Sequence, residues 1–171
     1  MTVGRLKPQQ RLASTRRQLA AAPVQAADGL ARLVRRTPPE GIERIMRTPV
    51  RRLVLDAIFW QLPQHFDRTH SSGVSATIEW RITGRSDGGV DTYQVTVADG
   101  SCRARRGAGD PSPRVTISLD AAEFLRLATG NSDPMQAYFK GRIKLAGDIM
   151  VAAKLLQLFR IPSARSPRTA G

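Results

Sequence analysis

Few side chains in this sequence are suited to do chemistry, and those few stand apart from one another. The single cysteine, Cys102, lies in "SCRAR", a stretch whose alternation makes it a small inward-facing residue. A thiol nucleophile needs a neighbouring base, and no base is spaced to serve it. The two histidines, His65 and His70, lie five apart at a helix end and in a loop. With one distant cysteine they do not make the paired spacing of a metal-ligand set. The acids of "SDGG", "ADG" and "GDP" fall in turns, where Asp serves backbone geometry. "GAG" at 107–109 is a lone loop pattern, and no G-x-S-x-G, phosphate-loop or dinucleotide fingerprint occurs. The expectation is a chain with no catalytic residue, no metal and no cofactor, which works by binding.

Charge narrows the partner. The 171 residues carry 27 Lys and Arg against 14 Asp and Glu, a formal charge of +13, and 41% are hydrophobic. Length and apolar content fit one domain with appended tails. The excess charge sits at the ends. Arg5, Lys7, Arg11, Arg16, Arg17, Arg32, Arg35 and Arg36 face only Asp28, and Arg160, Arg165 and Arg168 face no acid. Such ends favour an anionic partner, the phosphates of lipid or nucleic acid. One cysteine fits a reducing compartment. No apolar run approaches the roughly 20 residues of a membrane span, and the N-terminus has no hydrophobic signal core. The closing "RTAG" is neither a peroxisomal address nor a prenylation box. The expected location is cytoplasmic, peripheral to a membrane, and the Ala- and Arg-rich composition suggests a high-GC bacterium.

The elements that would position a binding site follow from periodicity. Residues 1–36 show scattered Leu and Ala among Arg, with "LARLVRR" as a short basic amphipathic helix. After "TPPEG" comes a short helix at "IERIMRTP", then a longer one that Thr48 would cap with Pro49 in first position. In it Val50, Leu53, Val54, Ala57 and Ile58 form an expected core-facing stripe, with Leu55, Phe59, Leu62 and Phe66 as a second stripe beside it. "VSATIEWRIT" (74–83) alternates without a break and predicts a strand. "DTYQVTVA" and "SCRAR" follow as strands joined by the hairpin turn Asp99-Gly100. "RVTISL" is a fourth strand, and Asp120 with Glu123 makes a capping box for the next helix, which Gly130 ends. Asp133 caps a short helix, "RIKLAG" is a fifth strand, and Asp148 caps a last helix, "IMVAAKLLQLF". The fold class predicted is α+β, a five-stranded mostly antiparallel sheet with helices over one face and the other face wet. The last helix is apolar almost all round, more than one neighbour requires.

The stretch "TYQVTVADGSCRARRG…PRVTISLDAAEFLRLATGNSDPMQAYFKGRIKLAGDIMVAAKLLQLF" resembles the sterol carrier protein 2 family. The resemblance is carried by Asp120 with Phe124 and Leu125, Gly130 with Pro134, Tyr138 and Phe139 before Gly141, and Gly147-Asp148, in that order and spacing. It covers about residues 42–161. The expected organisation is a basic, flexible segment over 1–41, a lipid-binding domain over 42–161 and a disordered tail over 162–171. The resemblance implies a non-catalytic fold whose helices and five-stranded sheet enclose a hydrophobic tunnel. It also implies a ligand among sterols, fatty acyl chains, phospholipids and isoprenoid quinone precursors, some relatives acting as accessory factors that hold quinone precursors for biosynthetic enzymes.

On that reading the liners of the cavity are Phe59, Leu62, Phe66, Trp80, Ile82, Phe124, Met135, Phe139, Met150, Leu155, Leu158 and Phe159. Each also fits plain core packing. The methionines suit a tolerant pocket, and Gln157 either orients a ligand head or faces water. Two other functions compete: nucleic-acid binding through the basic ends, which lack interleaved aromatics, and an enzyme with a non-obvious site. Arg32, Arg35 and Arg36, beside Leu30, Leu33 and Val34, would suit an anionic membrane surface.

Overall fold

The computed structural model describes residues 29–71 and 73–159. Residues 29–36 form a helix, α1. There follow α2 (Pro39–Ile45), α3 (Val50–Gln61), 3-10 turns at Leu62–His65 and Arg68–His70, β1 (Ala76–Thr83), β2 (Asp91–Ala98), β3 (Ser101–Arg106) and β4 (Val115–Asp120). The chain continues through α4 (Ala121–Ala128), α5 (Pro134–Phe139), β5 (Ile143–Gly147) and α6 (Ile149–Gln157).

The strands make one sheet in the order β3-β2-β1-β4-β5. β1 and β4 run parallel at its centre and the other pairings are antiparallel, so the predicted α+β class holds with a mixed sheet. Alternation decides the faces. Ala76, Ile78, Trp80 and Ile82 of β1 are buried under the helices, while Arg81 and Thr83 between and beyond them are exposed. Asp99 and Gly100 both have positive φ, 50° and 68°, the twist that a two-residue hairpin turn requires.

The second face is not wholly wet as expected. Gln94 points there yet is buried, because the loop after β3 folds over it. The amides of Gly109 and Asp110 donate to Gln94 Oε1 at 2.8 and 2.7 Å, and Gln94 Nε2 donates to the Asp110 carbonyl at 2.9 Å.

The expected caps on the later helices are present. Asp120, Asp133 and Asp148 accept from the amides of Glu123, Gln136 and Val151 at 2.9, 2.8 and 3.0 Å. α4 ends at Gly130 (φ 68°), with Asn131 N–H on the Arg126 carbonyl at 2.7 Å. Two expectations fail. Glu123 does not reach back to complete a capping box; its carboxylate is buried and receives hydrogen bonds from Ser132 and from Arg142. Thr48 does not cap α3 either, since its hydroxyl donates backwards to the Ile45 carbonyl at 2.7 Å and Pro49 is the N-cap.

The helices settle which stripes face inward. On α3 it is Leu55 and Phe59, with Arg51, that meet the sheet; the expected stripe from Val50 to Ile58 does not. Val54 and Ile58 lie at its margin, and Leu53 and Trp60 point outward at 71% and 67% exposure. Both stripes had the same period, and the larger aromatic one packs. α6 likewise buries one side, through Ala152 and Leu155, and leaves Ile149 and Met150 outside. α1 packs on the domain: Ala31 and Val34 are buried, and Asn131 Nδ2 donates to the Ala31 carbonyl at 3.0 Å. Within the segment expected to be flexible, residues 29–36 and 39–41 are helical. Residues 1–28 and the predicted tail at 162–171 lie outside the described residues. Among the described residues no helix is long and apolar enough to cross a membrane.

Candidate functional site

The centre of the covered face is an aromatic cluster assembled from two strands and two helices. Register places Tyr93, Trp80 and Ile117 side by side on β2, β1 and β4. α3 lowers Phe59 onto this row. Its ring stacks on Tyr93 at 4.1 Å between centroids and on Phe124 of α4 at 5.0 Å, with interplanar angles of 9° and 11°. Trp80 meets both phenylalanines edge-on, at 6.0 Å from Phe59 and 5.6 Å from Phe124. Such contacts add about 0.5–1.5 kcal/mol each beyond area burial. A second pair, Phe66 and Phe159 at 5.7 Å, closes the edge where α3 and α6 run out. There the Asp67 amide donates to the Leu158 carbonyl at 2.7 Å.

Of the expected liners, Phe59, Phe66, Trp80, Ile82, Phe124, Leu155, Leu158 and Phe159 belong to this one core, with Leu62 packed partly against it. Met135, Phe139 and Met150 do not: they are 59%, 77% and 80% exposed. α5 is six residues long and buries only Ala137, and α6 buries Ala152 and Leu155 while Met150 lies on its outward side. Gln157 is exposed, so it faces water. Tyr93 was not among the expected liners, although its alternation with Val95 and Val97 places it on the inward face.

Polar groups frame the cluster. Arg51 Nε donates to Asp91 Oδ2 at 2.8 Å, and its Nη2 donates to the carbonyls of Ile82 and Thr83 at 2.8 and 3.0 Å. The other Asp91 oxygen lies 3.4 Å from Arg85 and 3.5 Å from Arg106. The Tyr93 hydroxyl donates to Asp56 Oδ1 at 2.6 Å. Burial, then the Asp56 carboxylate, push the phenol pKa well above its ordinary value. Burial raises the Cys102 thiol to about 11, which leaves it a poor nucleophile at neutral pH. Among the described residues no group of three His, Cys, Asp or Glu could hold a metal ion. An open groove of about 240 Å³ lies between α2 and the start of α4, lined by Glu43, Met46 and Arg47 with Gly84, Asp120, Ala121 and Ala122; no aromatic side chain is in its walls. Among the described residues the rings form an apolar layer beneath α3.

Known proteins resemble this chain in sequence and in fold. Over 88 residues the chain is 33% identical to the peroxisomal multifunctional enzyme type 2 of Mus musculus, a match covering 50% of this chain and 12% of that protein. Over 83 residues it is 30% identical to sterol carrier protein 2 of Homo sapiens, covering 42% of this chain and 15% of that one. The chain thus spans a small fraction of the curated relatives it matches. In fold it is similar to sterol carrier protein 2 like 2 of Aedes aegypti, with a TM-score of 0.51 and 21% identity over 63% of this chain and 94% of that one. It is also similar to a part of the inverting sec-alkylsulfatase Pisa1 of Pseudomonas sp., with a TM-score of 0.54 and 24% identity over 67% of this chain and 17% of that one. The model of the SCP-2 sterol transfer family matches residues 57–160, which takes in the C-terminal part of α3, the whole sheet and α6, and the chain belongs to that family.

Proposed function

We propose that this protein binds a hydrophobic lipid between the sheet and helices α3, α4 and α6, and carries or presents it without turning it over. The ligand class is a sterol, a fatty acyl chain, a phospholipid or an isoprenoid quinone precursor. The observation that carries the reading is the match to the SCP-2 sterol transfer family across the elements that build the aromatic cluster. The lining we assign is Phe59, Leu62, Phe66, Trp80, Ile82, Phe124, Leu155, Leu158 and Phe159. A chain entering there leaves water for apolar contact, at about 0.8 kcal/mol per buried methylene.

A lipid carrier must meet a bilayer, and the outward side of the first helices supports one. Leu33, Ile45, Val50, Leu53 and Trp60 are exposed there, with Arg32, Arg35, Arg36, Arg44 and Arg52 exposed on the same three helices and Arg47 exposed in the turn between α2 and α3. Anionic head groups attract such residues by about 1 kcal/mol per Lys or Arg. Of the apolar residues first expected at that surface, Val34 is instead buried in the core.

Titration of the purified full-length protein with dehydroergosterol, a pyrene-labelled fatty acid and a short-chain quinone tests the reading. Saturable binding of at least one probe at a defined stoichiometry is expected. No saturable binding of any of them overturns it.

A further inference from the structure

The buried cluster contains one hydrogen-bond donor with nothing to donate to. Trp80 is 9% exposed, and its indole N–H is buried and meets no acceptor. The neighbouring polar aromatic is treated differently: Tyr93, one strand away in the same row, sends its hydroxyl to Asp56 at 2.6 Å. Buried indole N–H groups usually find a partner. Around Trp80 the structure supplies rings, since Phe59 and Phe124 both lie edge-on to it. The other buried donor without an acceptor, Arg126 Nη2, belongs to a side chain whose Nη1 already lies 3.6 Å from Glu123.

Resting on the lipid-binding reading above, we propose that the Trp80 indole N–H is the point inside the protein that takes the polar end of the ligand, and that this end is a neutral oxygen acceptor. The chemistry selects the class. An apolar, aromatic surround penalises an ionised carboxylate far more than a hydroxyl or a carbonyl. No cation contacts the Trp80 ring among the described residues; Arg106, in the same row, stands two strands away beside Tyr93 and is engaged by Asp56 and Asp91. A sterol hydroxyl, a fatty alcohol or a quinone-type carbonyl satisfies the N–H without bringing a charge inside. The ligand's oxygen therefore goes inward to Trp80 rather than outward to solvent.

The two tryptophans make the test direct, because Trp60 is 67% exposed and reports solvent. The full-length protein, labelled with 15N at both indoles, is titrated with dodecane, dodecan-1-ol, dodecan-2-one and dodecanoate. Trp60→Phe assigns the two indole signals. The alcohol and the ketone are expected to move the Trp80 indole proton downfield and to bind on the order of tenfold more tightly than the alkane, the worth of one hydrogen bond. In Trp80→Phe that preference should fall to about one. Should that variant fail to fold, the indole shift in the parent protein still decides. Saturable binding of all four probes with the Trp80 signal unmoved and no preference for oxygen overturns the proposal and leaves the lipid reading standing; the N–H would then rest against the rings. A response confined to dodecanoate overturns the neutral-acceptor assignment. No saturable binding by any of the four overturns the proposal; the lipid reading falls with it only where dehydroergosterol, the pyrene-labelled fatty acid and the quinone also fail to bind.

Discussion

Tyr93 and Asp56 join the sheet to its lid: the phenol of β2 donates to the carboxylate of α3 at 2.6 Å, directly beside the stacked rings of Tyr93 and Phe59. The same residue thus holds α3 by its edge and by its face. Asp56 also lies 3.8 Å from Arg106 and 3.9 Å from Arg52, so cations flank the carboxylate that accepts the bond.

Replacing Tyr93 with Phe keeps the stack and removes the bond. A hydrogen bond to a charged group contributes about 1.5–3 kcal/mol, and the variant should lose stability of that order at neutral pH. The effect should depend on pH at the alkaline end. Burial and Asp56 raise the folded-state phenol above its ordinary 10.0. The unfolded chain then sheds this proton first, so the native state binds more protons and stability falls as pH rises above about 10. The deficit of Tyr93→Phe should accordingly shrink above that pH. Cys102, raised from 9.0 to about 11, titrates with the same sign, so the comparison is made in a Cys102→Ala background. Urea unfolding followed across pH 7 to about 11 decides; a deficit that grows with pH would contradict this account.

Arg51 and Asp91 form the second tie, 2.8 Å apart and 5% and 6% exposed. Breaking a buried pair by removing one partner typically costs about 3–5 kcal/mol, while exchanging both for apolar groups costs much less. Arg51→Met alone should destabilise by roughly that amount, because Asp91 loses its nearest cation and α3 loses its bonds to the Ile82 and Thr83 carbonyls. Asp91→Leu in the same chain should recover part of the loss. Strict additivity of the two in a double-mutant cycle would mean that the pair is not coupled.

These ties explain what the sequence revealed and what it hid. Strand alternation, the Asp99-Gly100 turn and the caps at Asp120, Asp133 and Asp148 are local, so each can be read from a few neighbouring residues. The inward side of α3 is not local. Arg51, Leu55 and Phe59 repeat at i, i+4 and i+8, but a hydropathy pattern assigns an arginine to water, and its partner Asp91 lies 40 residues on. The competing stripe through Val50 and Leu53 had the same period and no charge, so periodicity alone favoured the face that the structure exposes. For the same reason Met135, Phe139 and Met150 read as liners: apolarity marks a residue as suited to the interior without saying which way its short helix is turned.

Gly147 offers a purely steric prediction. Its φ is +94°, and a Cβ there would sit 2.3 Å from the carbonyl oxygen of Arg114, the residue just before the neighbouring strand. Gly141 also has positive φ, +70°, but a Cβ there would meet nothing within 4 Å. Gly141→Ala should cost about 1 kcal/mol, the left-handed backbone penalty alone. Gly147→Ala should cost at least about twice as much, since the clash adds to the backbone term. Equal losses in thermal melts of the two variants would mean that β5 and β4 separate at no cost.

The outward side of α3 should matter to membranes and not to folding. Leu53 and Trp60 are 71% and 67% exposed, and neither side chain belongs to the core. Leu53→Ser with Trp60→Ser should therefore leave the melting temperature within about the shift expected of surface substitutions, ±0.5 kcal/mol each. Binding to vesicles that contain phosphatidylserine should weaken several-fold, because insertion of large apolar side chains is lost. Reversing Arg44, Arg47 and Arg52 to Glu attacks the electrostatic half. That half acts over a Debye length of roughly 10 Å at 0.1 M salt and about 3 Å at 1 M. The charge-reversed protein should bind anionic vesicles no better than neutral ones, and for the parent protein high salt should erase the preference for anionic lipid. Co-sedimentation at the two salt concentrations measures both effects. If both sets of variants sediment with phosphatidylserine vesicles as the parent does, the bilayer is met by some other surface of the protein.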